Sequence, residues 1–479
     1  MNQIFCYNLE SSISAIPVHL VCVEEFSDWK KTKSPVLKNY LDSISFQAND
    51  YKFALIPDET GLLSEVVATT KSLTNPWITA SLASKLPKGK IYSICFSRQL
   101  SKEEELEHYY AWGLGAYKFE IYKTRTGPNQ SEDYQAQLAI GSHPDAEEIL
   151  QQISIIWHVR DLINLPSENM TPQKFIEDAN FYLAGHGANI TVLQDREQMR
   201  ARFPGTYAVG RASESDPRSL QLSWGSQSDP MVALIGKGVC FDSGGLNLKT
   251  GRFMRNMKDD MAGAAHVLGL AKMIMVAQLP INLQVIIPLA ENLIGPNCYK
   301  PGDVITFRNG TTVEIENTDA EGRLLLADAL IEASELKPEL IIDLASLTGA
   351  ATVALGPDVA GFYTNSEEFA ESLTEEHQLI TEPIWRLPLI QDYMRYLKSD
   401  LADLSNCSSG GYGGSITAAL FLKKFVKLGL NWGHFDINPF LEESLPGRAR
   451  GAEVRAIRTI FNYLRDRYKN SRESERNGC

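Results

Sequence analysis

Apolar residues alternate with polar ones in two ways along the chain. Up to about residue 145, short apolar runs and polar helical stretches predict a small N-terminal α/β domain. Its predicted strands cover residues 16–23, 52–56 and 90–96. Residues 101–117 predict a helix, because Ser101 and Glu104 have the spacing of a capping box. Apolar residues at helical spacing over 145–164 predict a helix that connects this domain to the rest of the chain.

Longer apolar runs alternate with helices from about residue 166 onward. The predicted strands are "NITVLQ", "SLQLSW", "MVALIG", "NLQVIIPLA", "ELIIDLAS" and "WGHFDI". Several of them are apolar throughout, as expected of strands covered by helices on both faces. We therefore predict a larger three-layer α/β/α domain with a largely parallel, mixed sheet. The predicted bounds are 1–145 for the N-terminal domain, 146–165 for the connecting helix and 166–479 for the larger domain.

Composition and charge argue against several kinds of binding partner, site and chain segment. The 479 residues are 44% hydrophobic and 22% charged, which is typical of a globular protein. A net charge of −13 disfavours binding to nucleic acid or to an anionic membrane. Seven cysteines without a C-x-x-C pair argue against a disulfide framework and a thiolate zinc site. The chain start lacks a signal-peptide pattern, and no uncharged apolar run approaches ~18 residues, so we expect a cytoplasmic protein without a membrane span.

Ionisable residues gather in three segments of the larger domain. In the first, "GKGVCFDSGGLNLKTG", Lys237, Asp242 and Lys249 stand among glycines, which let a backbone approach a ligand closely. A flexible loop with surface lysines explains any single one of these residues more simply. A phosphate-binding loop is a weaker alternative, because the Walker pattern of glycine, lysine and a following Ser or Thr is incomplete.

The second segment, "NMKDDMAGAAHVLGLAKMI", predicts a helix that carries two adjacent aspartates. Asp260 shares a helical face with small and apolar residues, so we expect it to point inward, whereas Asp259 is expected to point outward. We expect His266 to be a surface or boundary histidine rather than a metal ligand, because no second histidine lies four residues away.

The third segment, "IENTDAEGRLLLADALIEA", crowds Asp319, Glu321 and Arg323 ahead of a helix that is apolar on nearly every side. It follows a predicted hairpin whose turn, Asn309-Gly310, is expected to be of type I′. A surface ion pair between Arg323 and Glu321 is the simpler explanation, but the helix has no polar face. An arginine at a helix start is favoured when an anion lies between it and the free backbone N–H groups.

The three segments together offer three aspartates, one glutamate, two lysines and one arginine as candidate site residues. Carboxylate oxygens suit divalent cations such as Mg, Mn or Zn. Two cations in such a cage would hold a water as hydroxide and polarise a carbonyl. One lysine could lose its proton beside a dication and become a ligand, while the other could remain charged and face developing negative charge.

Four motifs, in the expected order and at the expected separations, resemble those of the leucyl (cytosol) aminopeptidase family. "NTDAEGRL" is the most specific, and "GKGVCFDSGGLNLK", "MKDDMAGAA" and "KPGDV" accompany it. The resemblance covers the whole larger domain, which it implies is catalytic, and matches the first domain only loosely. It implies a two-metal exopeptidase that releases N-terminal amino acids from peptides by means of a metal-bridging hydroxide. The implied metals are Zn or Mn, with Mg or Co as alternatives.

Carried over by motif position, the implied metal ligands are Lys237, Asp242, Asp260, Asp319 and Glu321. Asp242 and Glu321 would bridge the two ions. Lys237 would bind as a neutral amine, and Asp319 would add its backbone carbonyl.

The resemblance implies further roles around this cage. Lys249 would be the catalytic lysine that stabilises the tetrahedral intermediate, and Arg323 would hold a bicarbonate ion that serves as general base. Met257 and the backbone around Leu347 and Gly349 would contact the substrate, although ordinary core packing explains Met257 equally well. Members of the family are homohexamers, which we expect here by resemblance only.

The chain also departs from the family pattern. Ser346 stands where Thr is common, and Asn438-Pro439 stands where Ala-Gly is usual. These departures leave the metal cage intact, but a preference for leucine does not follow. Two alternatives belong to other functional classes: a catalytically silent assembly or nucleic-acid-binding member of the same fold, and a phosphate-binding enzyme at the glycine-rich loop.

Overall fold

The computed structural model describes residues 4–6, 15–124, 135–140 and 145–477, and from residue 470 onward it describes the backbone only. The chain divides into two compact units. Unit 1 comprises Met1–Trp157 and Leu441–Gly451, and unit 2 comprises His158–Phe440 and Ala452–Cys479. The predicted connecting helix is one continuous helix, Ala146–Asn164, and the division between the units falls inside it.

The structure contains β-strands, α-helices and short 3-10 helices. The strands are β1 (Phe5–Cys6), β2 (Ile16–Cys22), β3 (Lys52–Pro57), β4 (Leu63–Thr70), β5 (Ile91–Phe96), β6 (Gln137–Ala139), β7 (Asn189–Leu193), β8 (Arg218–Trp224), β9 (Met231–Gly236), β10 (Gly238–Asp242), β11 (Asn282–Asn292), β12 (Val304–Thr306), β13 (Thr312–Glu314), β14 (Leu340–Ala345), β15 (Ala360–Thr364), β16 (Ile384–Arg386), β17 (Leu404–Ser405), β18 (Asn431–Asp436), β19 (Phe440–Leu441) and β20 (Gly451–Ala452).

The α-helices are α1 (Phe26–Lys31), α2 (Pro35–Ser43), α3 (Trp77–Lys85), α4 (Lys102–Gly115), α5 (Ala146–Asn164), α6 (Pro172–Leu183), α7 (Arg196–Arg202), α8 (Pro204–Gly210), α9 (Gly251–Met254), α10 (Ala262–Val276), α11 (Gly322–Leu336), α12 (Gly349–Leu355), α13 (Glu367–Glu375), α14 (Gly414–Lys423) and α15 (Ile457–Asn477). The 3-10 helices are Ser167–Asn169, Met257–Asp259 and Gln391–Leu397.

Unit 1 contains a six-stranded sheet in the order β1-β6-β5-β2-β4-β3, in which β3 alone runs antiparallel to its neighbour. The three strands predicted in this region are confirmed as β2, β3 and β5. The predicted capping box of α4 is also confirmed. Ser101 Oγ accepts a hydrogen bond from Glu104 N at 3.2 Å, and Glu104 Oε2 accepts one from Ser101 N at 2.9 Å. These two bonds satisfy backbone donors that the first helical turn otherwise leaves free.

Unit 2 contains a nine-stranded mixed sheet in the order β16-β15-β18-β14-β9-β11-β8-β7, with β10 paired to β11. The central strands β18, β14, β9 and β11 are parallel. β15 pairs antiparallel with β18, β8 with β11, and β7 with β8, whereas β16 pairs parallel with β15. All six strands predicted for the larger domain are present, so the prediction of a largely parallel, mixed sheet is confirmed. Every residue of β14 is buried, which explains why its apolar residues do not alternate with exposed polar ones.

Helices cover both faces of this sheet and complete the three layers. Ala233 and Ile235 of β9 belong to the apolar core that includes the residues of α11. On the other face, Gly236 approaches α10 so closely that a Cβ atom would lie 2.6 Å from Ala264 Cα. Among the residues described, every helix falls short of the length or apolar character that a membrane span requires.

The hairpin β12–β13 is confirmed, but the prediction of its turn type is wrong. A type I′ turn needs positive φ at both central residues, and of the predicted pair only Gly310 has it, with φ of 88°. The strands pair no further than Thr306 with Thr312, so the loop is longer than two residues. Gly310 N donates instead to Phe307 O at 2.9 Å, so the turn covers residues 307–310 and Asn309 is its third residue and not, as predicted, its second.

Candidate metal centre

The candidate site lies where the central strands of the unit 2 sheet end. Lys237 follows β9, Asp242 ends β10, and Asp260 lies between a 3-10 helix and α10. Asp319 and Glu321 immediately precede α11. Ligands of parallel α/β sheets bind beyond the carboxyl ends of the strands, and the structure brings all five predicted metal ligands to this edge.

Lys237 is buried between two carboxylates. Its Nζ lies 2.6 Å from Asp260 Oδ1 and 3.1 Å from Glu321 Oε1, and it donates to Ser346 O at 2.8 Å. Burial disfavours the charge on Lys237, but the carboxylates of Asp260 and Glu321 outweigh burial and raise its pKa. Without metal, this amine is therefore an ammonium that bridges two acidic side chains.

Lys249 makes the second bridge. Its Nζ lies 2.8 Å from Asp242 Oδ2 and 2.6 Å from Asp319 Oδ1. Burial opposes its charge, and the surrounding carboxylates outweigh burial and raise its pKa. Burial, with a further contribution from the carboxylate of Glu321, raises the pKa of Asp242 to about 7.

The acidic residues of the site fit divalent cations. Four carboxylates, those of Asp242, Asp260, Asp319 and Glu321, face only two ammonium groups. Asp260 Oδ2 and Glu321 Oε2 are buried and receive no hydrogen bond from the described part of the chain. Ligand oxygens of Asp242, Asp319 and Glu321 lie within 4.8 Å of one another. Buried carboxylates in excess of cations are costly unless further positive charge compensates them, so this donor set suits bound metal.

Of the seven ionisable candidates, all of which lie in the described chain, Arg323 alone forms no ion pair within the cage. It is 8% exposed, its Nε and Nη1 find no hydrogen-bond partner among the described residues, and its guanidinium lies 5.8 Å from the ring centre of Phe421. Burial lowers the pKa of Arg323. The simpler alternative, a surface ion pair with Glu321, is not formed in the described chain. A buried guanidinium with free N–H groups fits an oxyanion such as bicarbonate.

Several further residues, which were not predicted from the sequence, hold the cage in place. Asn292 Nδ2 donates to Asp242 Oδ1 at 2.7 Å and to Thr318 O at 2.9 Å. Tyr299 OH donates to the same carbonyl at 2.5 Å. Asn247 and Thr318 join the first and third segments, because Thr318 N donates to Asn247 Oδ1 and Asn247 N donates to Thr318 Oγ1, each at 2.9 Å. A polar residue that ends an apolar strand, as Asn292 ends β11, was the available signal.

Of the side-chain directions predicted for the two aspartates of the second segment, one is confirmed and the other is wrong. Asp260 points inward as predicted, but Asp259, predicted to point outward, is 6% exposed. The helical-face argument fails there because Met257–Asp259 forms a 3-10 helix and α10 begins only at Ala262. Both aspartates therefore lie ahead of the regular helix on which their directions were predicted.

The prediction that His266 lies at the surface or at a boundary is also wrong. Its side chain is fully buried, with Nδ1 2.7 Å from Ala262 O and Nε2 accepting from Arg455 N at 3.0 Å. Burial lowers the pKa of His266 to about 4, which makes the neutral ring the stable form. The polar partners that accommodate this histidine in a core are backbone groups, which a helical pattern does not reveal.

The predicted substrate-side residues lie near the cage through Ser346. Ser346 O accepts from Lys237, and Ser346 Oγ donates to Asp260 Oδ1 at 3.0 Å. Leu347 follows directly and is half-buried, and Gly349 is exposed. Met257, also half-buried, begins the 3-10 helix that leads to Asp260.

The fold and the site together define a class: α/β proteins with a buried acidic centre suited to divalent cations at the strand ends. The chain belongs to the cytosol aminopeptidase family. The catalytic domain of that family matches residues 157–461, and the M17 aminopeptidase N-terminal domain matches residues 16–138. Membership of this family indicates a hydrolase of the exopeptidase type.

Individual relatives agree with this assignment. The chain is 40% identical over 362 residues to the probable cytosol aminopeptidase of Geobacter sulfurreducens, covering 74% of this chain and 73% of that one. It is 35% identical over 399 residues to the probable cytosol aminopeptidase of Aquifex aeolicus, covering 80% of each.

Two solved structures are similar over nearly the whole chain. The cytosol aminopeptidase from Coxiella burnetii superposes with a TM-score of 0.90 at 40% identity, covering 97% of this chain and 99% of that one. The bottromycin maturation enzyme BotP, in complex with Mn, superposes with a TM-score of 0.82 at 28% identity, covering 95% and 100%.

Proposed function

We propose that this chain is a two-metal aminopeptidase that releases N-terminal amino acids from peptides. The observation that carries the proposal is the convergence of four carboxylates on two ammonium groups at the strand ends of a cytosol aminopeptidase fold. The proposed metals are Zn or Mn, with Mg or Co as alternatives, and the Mn complex of BotP supports Mn.

The proposed metal ligands are Lys237, Asp242, Asp260, Asp319 and Glu321. When bound, the two cations would supply a hydroxide from a bridging water and polarise the scissile carbonyl. Asp242 and Glu321 would lie between the ions, and Asp319 would add its backbone carbonyl. Lys237 would give up its proton and act as a neutral amine ligand.

Two cationic residues have the proposed catalytic roles. Lys249 remains an ammonium and stabilises the negative charge that develops on the attacked carbonyl oxygen. Arg323 would hold a bicarbonate ion, which would supply the general base. The free N–H groups of Arg323 support the second role, because a buried guanidinium needs acceptors.

The proposal includes the surroundings of the site. Met257, Leu347 and Gly349 would contact the peptide, an arrangement that the hydrogen bonds between Ser346 and the cage support. A homohexamer and a cytoplasmic location are parts of the same proposal. The location is supported by the name "cytosol aminopeptidase" carried by the relatives.

A chelation experiment tests this function. Protein freed of metal should not cleave a panel of aminoacyl p-nitroanilides, and Mn²⁺, Zn²⁺ or Co²⁺ should restore cleavage. The N-acetylated form of the best substrate is the matched control, and we expect it to remain intact because an aminopeptidase requires a free amino group. Metal-replete protein that cleaves no unblocked peptide or amide would contradict the proposal.

The alternatives predict different ligands. A phosphate-binding enzyme predicts that ATP raises the melting temperature of the metal-free protein more than Mn²⁺ does. A silent, nucleic-acid-binding member predicts salt-sensitive DNA binding by a metal-free Asp242→Asn variant. We expect neither result, because the net charge is −13 and all five predicted ligand positions carry their acidic or lysine side chain.

A further inference from the structure

The turn that follows β14, residues 346–349, is attached to the candidate metal centre at its start. Ser346 O accepts from Lys237 Nζ at 2.8 Å, and Ser346 Oγ donates to Asp260 Oδ1 at 3.0 Å. The turn becomes more exposed along its length, from half-buried Ser346 to exposed Gly349. It therefore forms part of the accessible border of the cage.

A single buried carboxylate holds the other side of this turn. Asp436 Oδ1 accepts from Leu347 N at 3.1 Å and from Thr348 N at 3.0 Å. Its Oδ2 accepts from Thr348 Oγ1 at 2.5 Å and from Ser415 Oγ at 3.1 Å. Asp436 is the last residue of β18 and pairs with Ala345 of β14, so the rigid sheet places it beside the turn.

These contacts fix one peptide plane from both ends. The C=O of Ser346 and the N–H of Leu347 belong to the same planar peptide group. Lys237 donates to that C=O, and Asp436 accepts from that N–H. The next plane is fixed as well, because Asp436 also accepts from Thr348 N. The direction of the Leu347 backbone is thus set jointly by a predicted metal ligand and by Asp436.

Asp436 is 3% exposed and forms no ion pair with a lysine or arginine of the described chain. Its charge interacts with that of Arg323, although the two side chains are not in direct contact. Its partners are two backbone N–H groups and two hydroxyls, and Tyr363 OH donates in turn to Ser415 Oγ at 2.8 Å. Hydrogen bonds to an ionised acceptor are stronger than neutral ones. A carboxylate here holds the turn more firmly than a neutral side chain would.

We propose that Asp436 is a positioning residue that fixes the backbone of residues 346–349 as a binding edge for the peptide substrate. The inference rests on the proposed aminopeptidase function and deepens it. Asp436 contacts none of the predicted metal ligands directly, so its contribution is to substrate binding and not to the cage. A substitution that weakens binding of the substrate and of the transition state equally raises KM and leaves kcat unchanged.

Asp328 provides a matched control for Asp436. It is 1% exposed, and it accepts from two consecutive backbone N–H groups, Gly205 N at 3.3 Å and Thr206 N at 2.7 Å. It also accepts from Thr206 Oγ1 at 2.8 Å. Asp328 therefore accepts from the same kinds of group as Asp436, with one hydroxyl instead of two, and it lies on α11 in contact with the start of α8 and not with the turn.

The experiment compares Asp436→Ala, Asp436→Asn and Asp328→Ala in Mn²⁺-loaded full-length protein with a dipeptide amide substrate. We expect Asp436→Ala to raise KM about tenfold while kcat changes less than about threefold. Asp436→Asn keeps one acceptor oxygen but loses the charge, so it should raise KM measurably and by less than Asp436→Ala does. Asp328→Ala should change the stability of the folded protein but leave KM unchanged. The Mn²⁺ dissociation constant, measured by calorimetry, should stay the same in all three variants.

Three results would overturn the role of Asp436: an unchanged KM in folded Asp436→Ala, an equal rise in Asp328→Ala, or a rise that follows weaker Mn²⁺ binding. If Asp436→Ala does not fold, Asp436→Asn compared with Asp328→Asn decides. In that case Asp436→Asn alone must raise KM.

Hydrogen–deuterium exchange separates this inference from the proposed function. Peptides that cover residues 346–355 should exchange faster in Asp436→Asn than in the unsubstituted chain, whereas Asp328→Asn should not affect them. Absence of turnover by unsubstituted, Mn²⁺-loaded protein would count against the proposed function itself. Unchanged exchange in the turn would show that Asp436 does not fix its backbone, whether or not the unsubstituted protein turns over substrate.

Discussion

Substitution of Lys249 should remove turnover and not metal binding, because Lys249, unlike Lys237, is not a proposed metal ligand. The proposal keeps Lys249 charged and assigns it to the transition state, so Lys249→Ala should bind Mn²⁺ with near-normal affinity and lose turnover by a factor of ~10² to 10³. Calorimetric titration and steady-state kinetics on the same sample measure the two quantities. Lost metal binding in Lys249→Ala would reassign the residue to the cage, and unchanged kcat would remove it from catalysis.

Asn292 supports the cage through its amide. It donates to Asp242 Oδ1 and to Thr318 O, so Asn292→Ala should free both groups and weaken Mn²⁺ binding about 10- to 100-fold. Asn282 begins the same strand β11 at its opposite end and is 7% exposed, which makes Asn282→Ala the control. Equal Mn²⁺ affinities of the two variants would show that the amide of Asn292 does not order the site.

Asp328 gives a pH dependence that can be measured away from the metal site. Burial raises its folded pKa to about 7 from the ordinary 3.8. Below pH 3.8 the carboxyl is protonated in both states. As the pH rises towards 7 the unfolded chain releases this proton and the folded chain retains it, so stability falls.

The expected result is a pH-dependent difference in stability between the unsubstituted chain and Asp328→Asn. The free energy of unfolding of the unsubstituted chain, relative to Asp328→Asn, should fall by about 2 kcal/mol between pH 5 and pH 7. Urea unfolding at both pH values measures it. A difference that stays constant with pH, or that grows as the pH rises, would show that the carboxyl is not protonated in the folded chain.

At the scale of elements, the start of α11 fits tightly against the end of β9. Gly322 is the first residue of α11, and a Cβ there would lie 2.3 Å from Lys237 Cε and 2.7 Å from its Nζ. Gly322→Ala should therefore displace Lys237 and reduce Mn²⁺ affinity. Gly251→Ala is the control, because a Cβ at that position meets nothing within 4 Å. Competition of each variant with a fluorescent chelator measures the affinity, and equal values would refute the steric argument.

Elements with a repeating pattern were predictable, and their irregular ends were not. The sequence predicted β9 and most of β14 from continuous apolar runs, which are typical of buried parallel strands. It also predicted the capped start of α4 from Ser101 and Glu104. The predicted start of α10 was wrong because Met257–Asp259 forms a 3-10 helix. The spacing of apolar residues does not reveal the hydrogen bonds of such a helix.

The candidate site was predictable for a different reason. Charged residues in a buried segment need an explanation, and Asp319, Glu321 and Arg323 led directly to the cage. Asn292 and Asp436 were missed, since their importance depends on which groups the fold brings opposite them. Single polar residues at strand ends are common, and only the partners distinguish a supporting side chain from a solvated one.

At the scale of the whole molecule, the cage depends on contacts between segments far apart in sequence. Lys237 meets Glu321, and Asn247 meets Thr318, across more than 70 residues of chain. The mixed sheet makes this possible, because its parallel strands deliver loops from separate regions to one edge. The same dependence implies that metal bound at the edge couples these segments and stabilises unit 2 against unfolding.

Anomalous X-ray scattering from crystals grown with Mn²⁺, recorded at the Mn edge, tests the two-metal centre most directly. We expect two anomalous peaks among the side chains of Lys237, Asp242, Asp260, Asp319 and Glu321, with Asp242 and Glu321 between them. Crystals that show no peak within this cage at saturating Mn²⁺, with Lys237 still paired to Asp260 and Glu321, would contradict the proposed two-metal centre.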